Sequence, residues 1–562
     1  MKKLNIVFQL FTSFLLVSPD IFAQQWGDYT LYATMNGTSA LLVDTNGTTY
    51  HNWTFTTTNK TGYSTYMIPG GTLVRSVTHA GNSFSGGGMT GQVQKVDWNG
   101  NILWDYVYST TQQCMHHDIC PLPNGNVMLI SYELKSAAQA TAAGSTSAIT
   151  MWPDKIVEVQ PSGATTGTIV WEWHVWDHLV QNVDSTKANY HASIIDHPEL
   201  LNINYQTQKD WLHMNGIDYN ALLDQIVISS HNMDEMYVID HSTTTAEAAG
   251  HTGGNSGKGG DFLYRWGNPA TYQASGTQVF NVMHDAHWIP QDCPRGGYLV
   301  GYNNNGISNN QSCVDFFNPP YDDYNYLHTS GTAYAPSTYD LRVACNGHNG
   351  NMGNSQQLPN GNMMVCIAQS GYIYEIDSAQ NILWSKTVSG TTPHAYRYSA
   401  CYTAGTQPVT PLVSNNSDTL HASTSSTSYV WYFNGAVITG ATNQDYVPLQ
   451  NGNYQAQAVD AGGCTSAISF PYSYFSLSAY SQPVKMLLQL YPNPTNGIVK
   501  IDGAFSFALK YEVIVTDVVG KVMLQVENQN SVDLSRFENG FYNFIVLTED
   551  GKRLSQKIML VK

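Results

Sequence analysis

Over roughly the first 400 positions, apolar residues come in short runs cut by Pro, Asn and Gly, a pattern that predicts strands joined by tight turns. The clearest run is Leu122-Pro123-Asn124-Gly125-Asn126-Val127-Met128-Leu129-Ile130, entered through Met115-His116-His117-Asp118. It reads as a histidine-bearing loop, a turn in which Asn-Gly supplies positive φ, and a buried strand. Copies recur. Aligning Ile289-Pro290 on Leu122-Pro123 lays His284 on His117 and Asp285 on Asp118, with His287 two residues before Ile289. A third copy, His213-Met214-Asn215-Gly216-Ile217, leads into Ile226-Val227-Ile228. A fourth, Gln357-Leu358-Pro359-Asn360-Gly361, has glycine where the histidine would fall but carries His348 upstream, and a fifth, Met67-Ile68-Pro69-Gly70-Gly71, has no histidine there.

Each copy is followed by a strand that turns into an aromatic-rich strand, as in Val93-Gln94-Lys95-Val96 with Ile102-Leu103-Trp104, and Tyr372-Ile373-Tyr374-Glu375-Ile376 with Ile382-Leu383-Trp384. Four-strand units at a period of roughly 50 to 70 residues predict a β-propeller, and the count gives about six blades. Residues 30–55 form the second half of a unit and residues 394–402 a first half. Joined, they close the ring and remove exposed sheet edges. The chain is thus expected to be all-β: a six-bladed propeller over 24–407, an immunoglobulin-like β-sandwich over 408–480 and a small C-terminal β-sandwich over 486–562.

The middle module is read from Tyr429-Val430-Trp431-Tyr432 and Gly452-Asn453-Tyr454, a Trp-centred strand and a Gly-x-Tyr strand separated by turns. The last one runs from Leu490-Tyr491-Pro492-Asn493-Pro494-Thr495 through Val513-Ile514-Val515 to Lys557-Ile558-Met559-Leu560. These residues closely resemble the C-terminal sorting domain of proteins exported by the type IX secretion system, which implies that machinery as a partner. Lys2-Lys3, an apolar run to Val17 and Ile21-Phe22-Ala23 predict a signal peptide over 1–23. No later segment is long and apolar enough to form a transmembrane helix. The expected location is secreted or at the cell surface.

A formal charge of −17 gives no basic stripe for nucleic acid or anionic lipid. Export permits disulfides among the eight cysteines, with Cys114–Cys120 and Cys293–Cys313 the closest-spaced candidates. No CxxC pair is present, and no ligand spacing demands a metal.

In a propeller the innermost strand of each blade lines the central channel, so the repeat register predicts that His117, His213, His284 and His348 enter one face from different blades. His287 belongs to the same loops. Each has a plainer alternative, a capped turn or a packed imidazole, and His174, His178, His191 and His197 cluster in an insertion that is either a lid or without a role.

The stretch Asp210 to Asp240, the run Tyr264-Arg265-Trp266-Gly267-Asn268-Pro269, the His284-Asp285-Ala286-His287-Trp288 loop and Gly353-Asn354-Ser355-Gln356-Gln357-Leu358 together resemble the bacterial arylsulfate sulfotransferase family. The resemblance implies a six-bladed propeller that moves a sulfuryl group from an aryl sulfate donor to a phenolic acceptor through a sulfohistidine, without a nucleotide or other cofactor. It implies catalytic roles for His213 and His284, with His348 as the nucleophile; His117 and His287, placed by the repeat register, and Arg265 are expected to bind substrate. The family arginine is expected after the His284 strand, but Tyr302-Asn303-Asn304-Asn305-Gly306-Ile307-Ser308 offers none, leaving Arg265, Arg342 or Arg397 to stand in. Two other functions fit the same residues: a noncatalytic surface propeller that binds glycans or peptides, and a propeller enzyme with a histidine-held metal.

Overall fold

The computed structural model describes residues 27–308, 310–404, 408–475, 489–502, 510–518, 520–548 and 553–562; the expected signal peptide, 1–23, lies outside them. The chain divides into two compact units, residues 1–447 with 453–472 and residues 448–452 with 473–562.

In the first unit, six four-stranded antiparallel sheets between Tyr29 and Tyr398 are the blades of a propeller. Their innermost strands are, for blades 1 to 6, Ala395–Tyr398, Thr61–Ile68, Gln113–Pro121, Met214–Asn220, Met283–Trp288 and Asn354–Gln357. Blade 1 joins the two half-units: Ala395–Tyr398 pairs with Tyr29–Ala33. The hydrophobic pattern follows from where a strand lies. Val127–Glu133, second in blade 3, is buried at every position because neighbouring blades cover both faces, whereas the outermost strand Ile102–Val107 of blade 2 buries only Trp104 fully. Between Pro121 and Val127, Leu122 and Asn126 close the turn (N–H to O, 2.9 Å) around Gly125 at φ +86°, as its sequence requires.

The aspartates of the histidine motif stitch one inner strand to the next. Asp118 of blade 3 accepts the Ile217 N–H of blade 4 (3.2 Å), Asp218 of blade 4 accepts the Trp288 N–H of blade 5 (2.9 Å), and Asp285 of blade 5 accepts the Ser355 N–H of blade 6 (2.8 Å). Asn354 takes the Ala395 N–H (2.9 Å) and continues the ring into blade 1. Inner strands of different blades share no sheet, so these side chains satisfy backbone groups that no strand partner reaches.

The expected loop disulfides are not formed: Cys114, Cys120, Cys293 and Cys313 are free and buried. Cys114 and Cys120 lie six residues apart on one strand, roughly 20 Å at the rise of extended chain, beyond the reach of an S–S bond. The disulfide present joins Cys401, just past blade 1's inner strand, to Cys464, with Cα atoms 5.7 Å apart. It ties the propeller's end to the following module, where Ser428–Phe433 pairs with Gly452–Val459 around a fully buried Trp431, and Val413–Asn416 pairs with Thr419–Ala422. In the second unit, Tyr511–Thr516 is flanked by Val522–Glu527 and Gly540–Thr548, the latter pairing with Arg553–Leu560, over a core that includes Val513, Phe544 and Ile558. No described helix is long and apolar enough to cross a membrane.

Candidate active site

The inner strands do not run regularly to the channel mouth. In blades 2, 3, 4 and 5 the register to the second strand slips at Thr61/Thr65, Met115/Ile119, Met214/Gly216 and His284/His287. A bulge of this kind re-aims side chains. At or beside these slips, His117 (φ +47°), His213 (φ +54°) and Asp285 (φ +56°) hold the left-handed conformation that non-glycine residues rarely adopt. The result is a group of imidazoles at one end of the channel. The His117 ring lies 4.6 Å from His213, His213 lies 5.0 Å from His231, and His231 lies 5.7 Å from His284. Tyr63 of blade 2 sits between His117 (4.9 Å) and His394 of blade 1 (5.0 Å). The loop before Met89 covers two of these rings with glycines: a side chain at Gly88 would strike His117, and one at Gly87 would strike His213.

The partners of each ring decide what it can do. His213 Nδ1 is 2.8 Å from Asp210 Oδ2, which leaves Nε2 to the site. His117 Nδ1 meets His116 Nδ1 at 2.8 Å, and His116 Nε2 stands 2.8 Å from Asp154, both wholly buried. His284 is committed at both nitrogens: Nε2 accepts the Met352 N–H (3.0 Å), so Nδ1 carries the proton it gives to Asn304 Oδ1 (2.7 Å). His394 and Tyr63 stand apart from this pattern. Both are buried, at 4% and 3% exposure, yet neither ring nitrogen of His394 and not the Tyr63 hydroxyl has a hydrogen-bond partner among the described residues.

Burial, then the other histidines, pushes the pKa of His117 well below its ordinary value; burial and His231 do the same to His284, and burial and His213 lower His231. These rings are neutral near pH 7. Asp210 runs the other way: although burial opposes it, the bond from His213 holds its carboxyl below the usual range. The arrangement thus offers neutral imidazole nitrogens as nucleophiles and one carboxylate-held imidazole as a proton carrier.

Of the residues singled out from sequence, His117, His213 and His284 come together here. His348, in the loop whose Met352 meets His284, has its Nε2 2.9 Å from Asn305 Oδ1 on the strand after His284 and makes no ring contact among the described residues. His287 faces the opposite end of the channel, on a cavity of about 280 Å³ lined by Tyr66, Asp118, Asp218, Asp285 and Tyr396. Burial works against its charge, but Asp285 and Asp218 raise its pKa to about 9. Arg265 is far from both ends in role, fully buried and giving its donors to Glu235, Thr271 and the Pro198 and Leu200 carbonyls. Arg342 is paired with Asp315 and Arg397 with Glu375. Where an arginine was expected after the His284 strand, Asn304 binds His284 and donates to the Asn349 and Met352 carbonyls (2.8 Å each).

His231, His394 and Tyr63 escaped the sequence reading. Tyr63 lies five residues before Ile68, the spacing of His117 from Leu122 and of His284 from Ile289, and His394 directly precedes blade 1's inner strand, so register could have found both. His231 follows the second strand of blade 4, Gln225–Ser230, and obeys no inner-strand rule.

Residues 24–392 match the family described as Arylsulfotransferase (ASST), and residues 489–562 match the secretion system C-terminal sorting domain. The latter indicates type IX secretion and a location outside the cell or on its surface. No curated protein matches the chain. Among solved structures, a protein of unknown function from Bacteroides caccae is 12% identical (TM-score 0.38; 66% of this chain, 98% of that one). The periplasmic gluconolactonase of Pseudomonas aeruginosa is 11% identical (TM-score 0.34; 80% and 97%). At such scores neither likeness bears on function.

Proposed function

The chain belongs to the arylsulfotransferase family, and from that premise we propose that it transfers a sulfuryl group from an aryl sulfate to a phenolic acceptor through a sulfohistidine. The observation that carries this reading is the pair of buried, unpartnered groups at the channel mouth, His394 and the Tyr63 hydroxyl, set among His117, His213, His231 and His284. Each buried polar atom without a partner calls for an explanation, and at a ring of imidazoles a polar ligand supplies one.

In this reading a lone pair of His394 attacks sulfur. The N–S bond forms as the S–O bond to the aryl group breaks, and the departing phenolate takes a proton from His213, which Asp210 keeps oriented and stabilises when charged. The acceptor phenol then returns its proton to His213 and displaces the imidazole. The Tyr63 hydroxyl donates to a sulfuryl oxygen. His284, held between Asn304 and Met352, positions the 348–352 loop rather than attacking. Sequence resemblance favours His348 as nucleophile; the uncommitted nitrogens of His394 favour His394.

The test is to incubate the purified chain with 4-nitrophenyl sulfate, with and without phenol and in the presence of chelator, and to map the sulfo adduct formed without acceptor. Acceptor-dependent release with the adduct on His394 is the expected result. An adduct on His348 returns the nucleophile to the sequence reading. A folded protein with no release and no adduct favours the noncatalytic binding propeller, a reading supported by the commitment of Arg265, Arg342 and Arg397 to carboxylates away from the imidazoles.

A further inference from the structure

At the rim of blade 4, away from the channel, a second group of histidines closes on one carboxylate. His178 sits in the insertion between blades 3 and 4, His251 in the glycine-rich loop 249–260, and Asp261 at that loop's end. His178 Nδ1 and His251 Nδ1 are each 2.8 Å from the same oxygen, Asp261 Oδ1. Among the described residues, this is the one group of three histidine or acidic side chains whose ligand atoms all lie within 4.8 Å of one another. The axial imidazoles, for all their number, do not meet that condition.

The donor set has the chemistry of a metal site. His178 Nε2 faces the Ala248 carbonyl at 2.8 Å, and a carbonyl only accepts, so that nitrogen carries a proton. Nδ1 faces the carboxylate oxygen, and an outer N–H on a backbone carbonyl is how a metal-bound histidine is held with its other nitrogen toward the ion. The ring is fixed from its face as well: Trp173 stacks on it at 5.7 Å with the planes 7° apart, and the Trp173 N–H is taken by the Gly260 carbonyl (2.7 Å). His178 is wholly buried, whereas the His251 side chain is 60% exposed on a loop rich in glycine. Ligand atoms around a tetrahedral zinc stand about 3.3 Å apart, given bonds near 2.0 Å, so the two 2.8 Å imidazole–carboxylate distances must each open by roughly half an ångström, which a small displacement of Asp261 away from both rings supplies.

We propose that His178 Nδ1, His251 Nδ1 and Asp261 Oδ1 bind a divalent transition-metal ion of the zinc class, bracing the insertion between blades 3 and 4 against the outer loop of blade 4. Two imidazoles and a carboxylate suit zinc, copper or nickel rather than magnesium or calcium. The fourth position is left to water or to His191, which lies within electrostatic reach of His251 and packs on His197 with ring centres 3.9 Å apart. The site stands apart from the proposed transfer chemistry and does not depend on it.

The experiment uses the full chain without an affinity tag, stripped with chelator and dialysed against zinc ion alone, with bound metal measured by mass spectrometry and affinity by competition with a chromophoric chelator. One zinc per chain and a raised thermal midpoint are expected. In His251→Ala, an exposed position whose loss leaves the core intact, affinity falls by about 100-fold or more and the midpoint no longer responds. Asp261→Asn should behave alike, and His213→Ala should retain the ion. No zinc above the level of His251→Ala, or zinc kept by His251→Ala and lost with His213→Ala, overturns the proposal; the second result would place the ion on the axis.

Discussion

The histidines of the channel mouth and those of the rim are the same residue put to opposite uses, and the difference lies in what each ring faces. At the axis, His117, His231 and His284 face other imidazoles, with the neutral amides of Asn232 and Asn304 beside the latter two, and burial keeps them uncharged. At the rim, His241 lies between Asp224 (2.7 Å) and Glu158 (2.9 Å); burial works to lower its pKa, but the two carboxylates hold it up at about 9. A propeller builds both environments from one repeat, because inner strands meet across a narrow channel while outer loops meet solvent and one another.

The largest test of that contrast is catalytic. His394→Ala should lower acceptor-dependent transfer by about 10³-fold or more, the scale of losing an attacking group, while His241→Ala should leave turnover unchanged. If the two variants behaved alike, the axis would have no privileged chemistry. His213→Ala should cost roughly 10² to 10⁴-fold, as for a general acid and base, and the loss should be smallest with 4-nitrophenyl sulfate, whose leaving group needs a proton least. An equal loss for all donors would make His213 a positioning residue.

Much of this was open to sequence reading and some was not, for separable reasons. The blade count and closure were legible because each repeat carries its own turn and strand signals, Leu122-Pro123-Asn124-Gly125-Asn126 above all. His117, His213 and His284 were found by register. His394 was passed over although 394–402 reads as a first half-unit, because no Pro-Asn-Gly turn follows that strand to set the register by which the other histidines were placed. His231 follows a second strand and so lies outside the inner-strand register that located the others. Arg265 looked available for an anion, yet the partner that consumes it, Glu235, is a sheet neighbour thirty residues away that no spacing rule identifies. The disulfide failed for a similar reason: proximity along the chain suggested Cys114 and Cys120, while the fold brought Cys401 to Cys464.

Stability against pH should separate the two populations next. Groups whose folded pKa is depressed, His117, His231 and His284, take up protons only on unfolding, so stability falls as pH drops below about 6.5, the unfolded value. His241 acts with the other sign. Its folded pKa is raised, so its contribution is whole below about 6.5 and is lost as pH rises through 9, at most about 3 kcal/mol in all. Urea midpoints measured from pH 5 to 10 should therefore fall at both ends, and His241→Gln should flatten the alkaline side while leaving the acid side in place. An alkaline limb that survives the substitution would assign it elsewhere, with His287, also raised to about 9 by Asp285 and Asp218 against its burial, the first alternative.

The smallest expected effect is the most exacting test of the division. His251 approaches the axis through no hydrogen bond or ring contact: its bonded partner is Asp261, and its ring neighbour is His178. In metal-free protein, His251→Ala should change turnover and acceptor KM by less than about twofold, since a solvent-exposed side chain far from reacting groups shifts little. If zinc slows or speeds transfer by the native chain but not by this variant, the rim and the axis are coupled, and the insertion holding His178 is the element that links them, because it runs directly into Asp210 and His213. If zinc leaves both rates alone, the repeat has built two independent imidazole sites from one fold, one for chemistry and one for holding a loop in place.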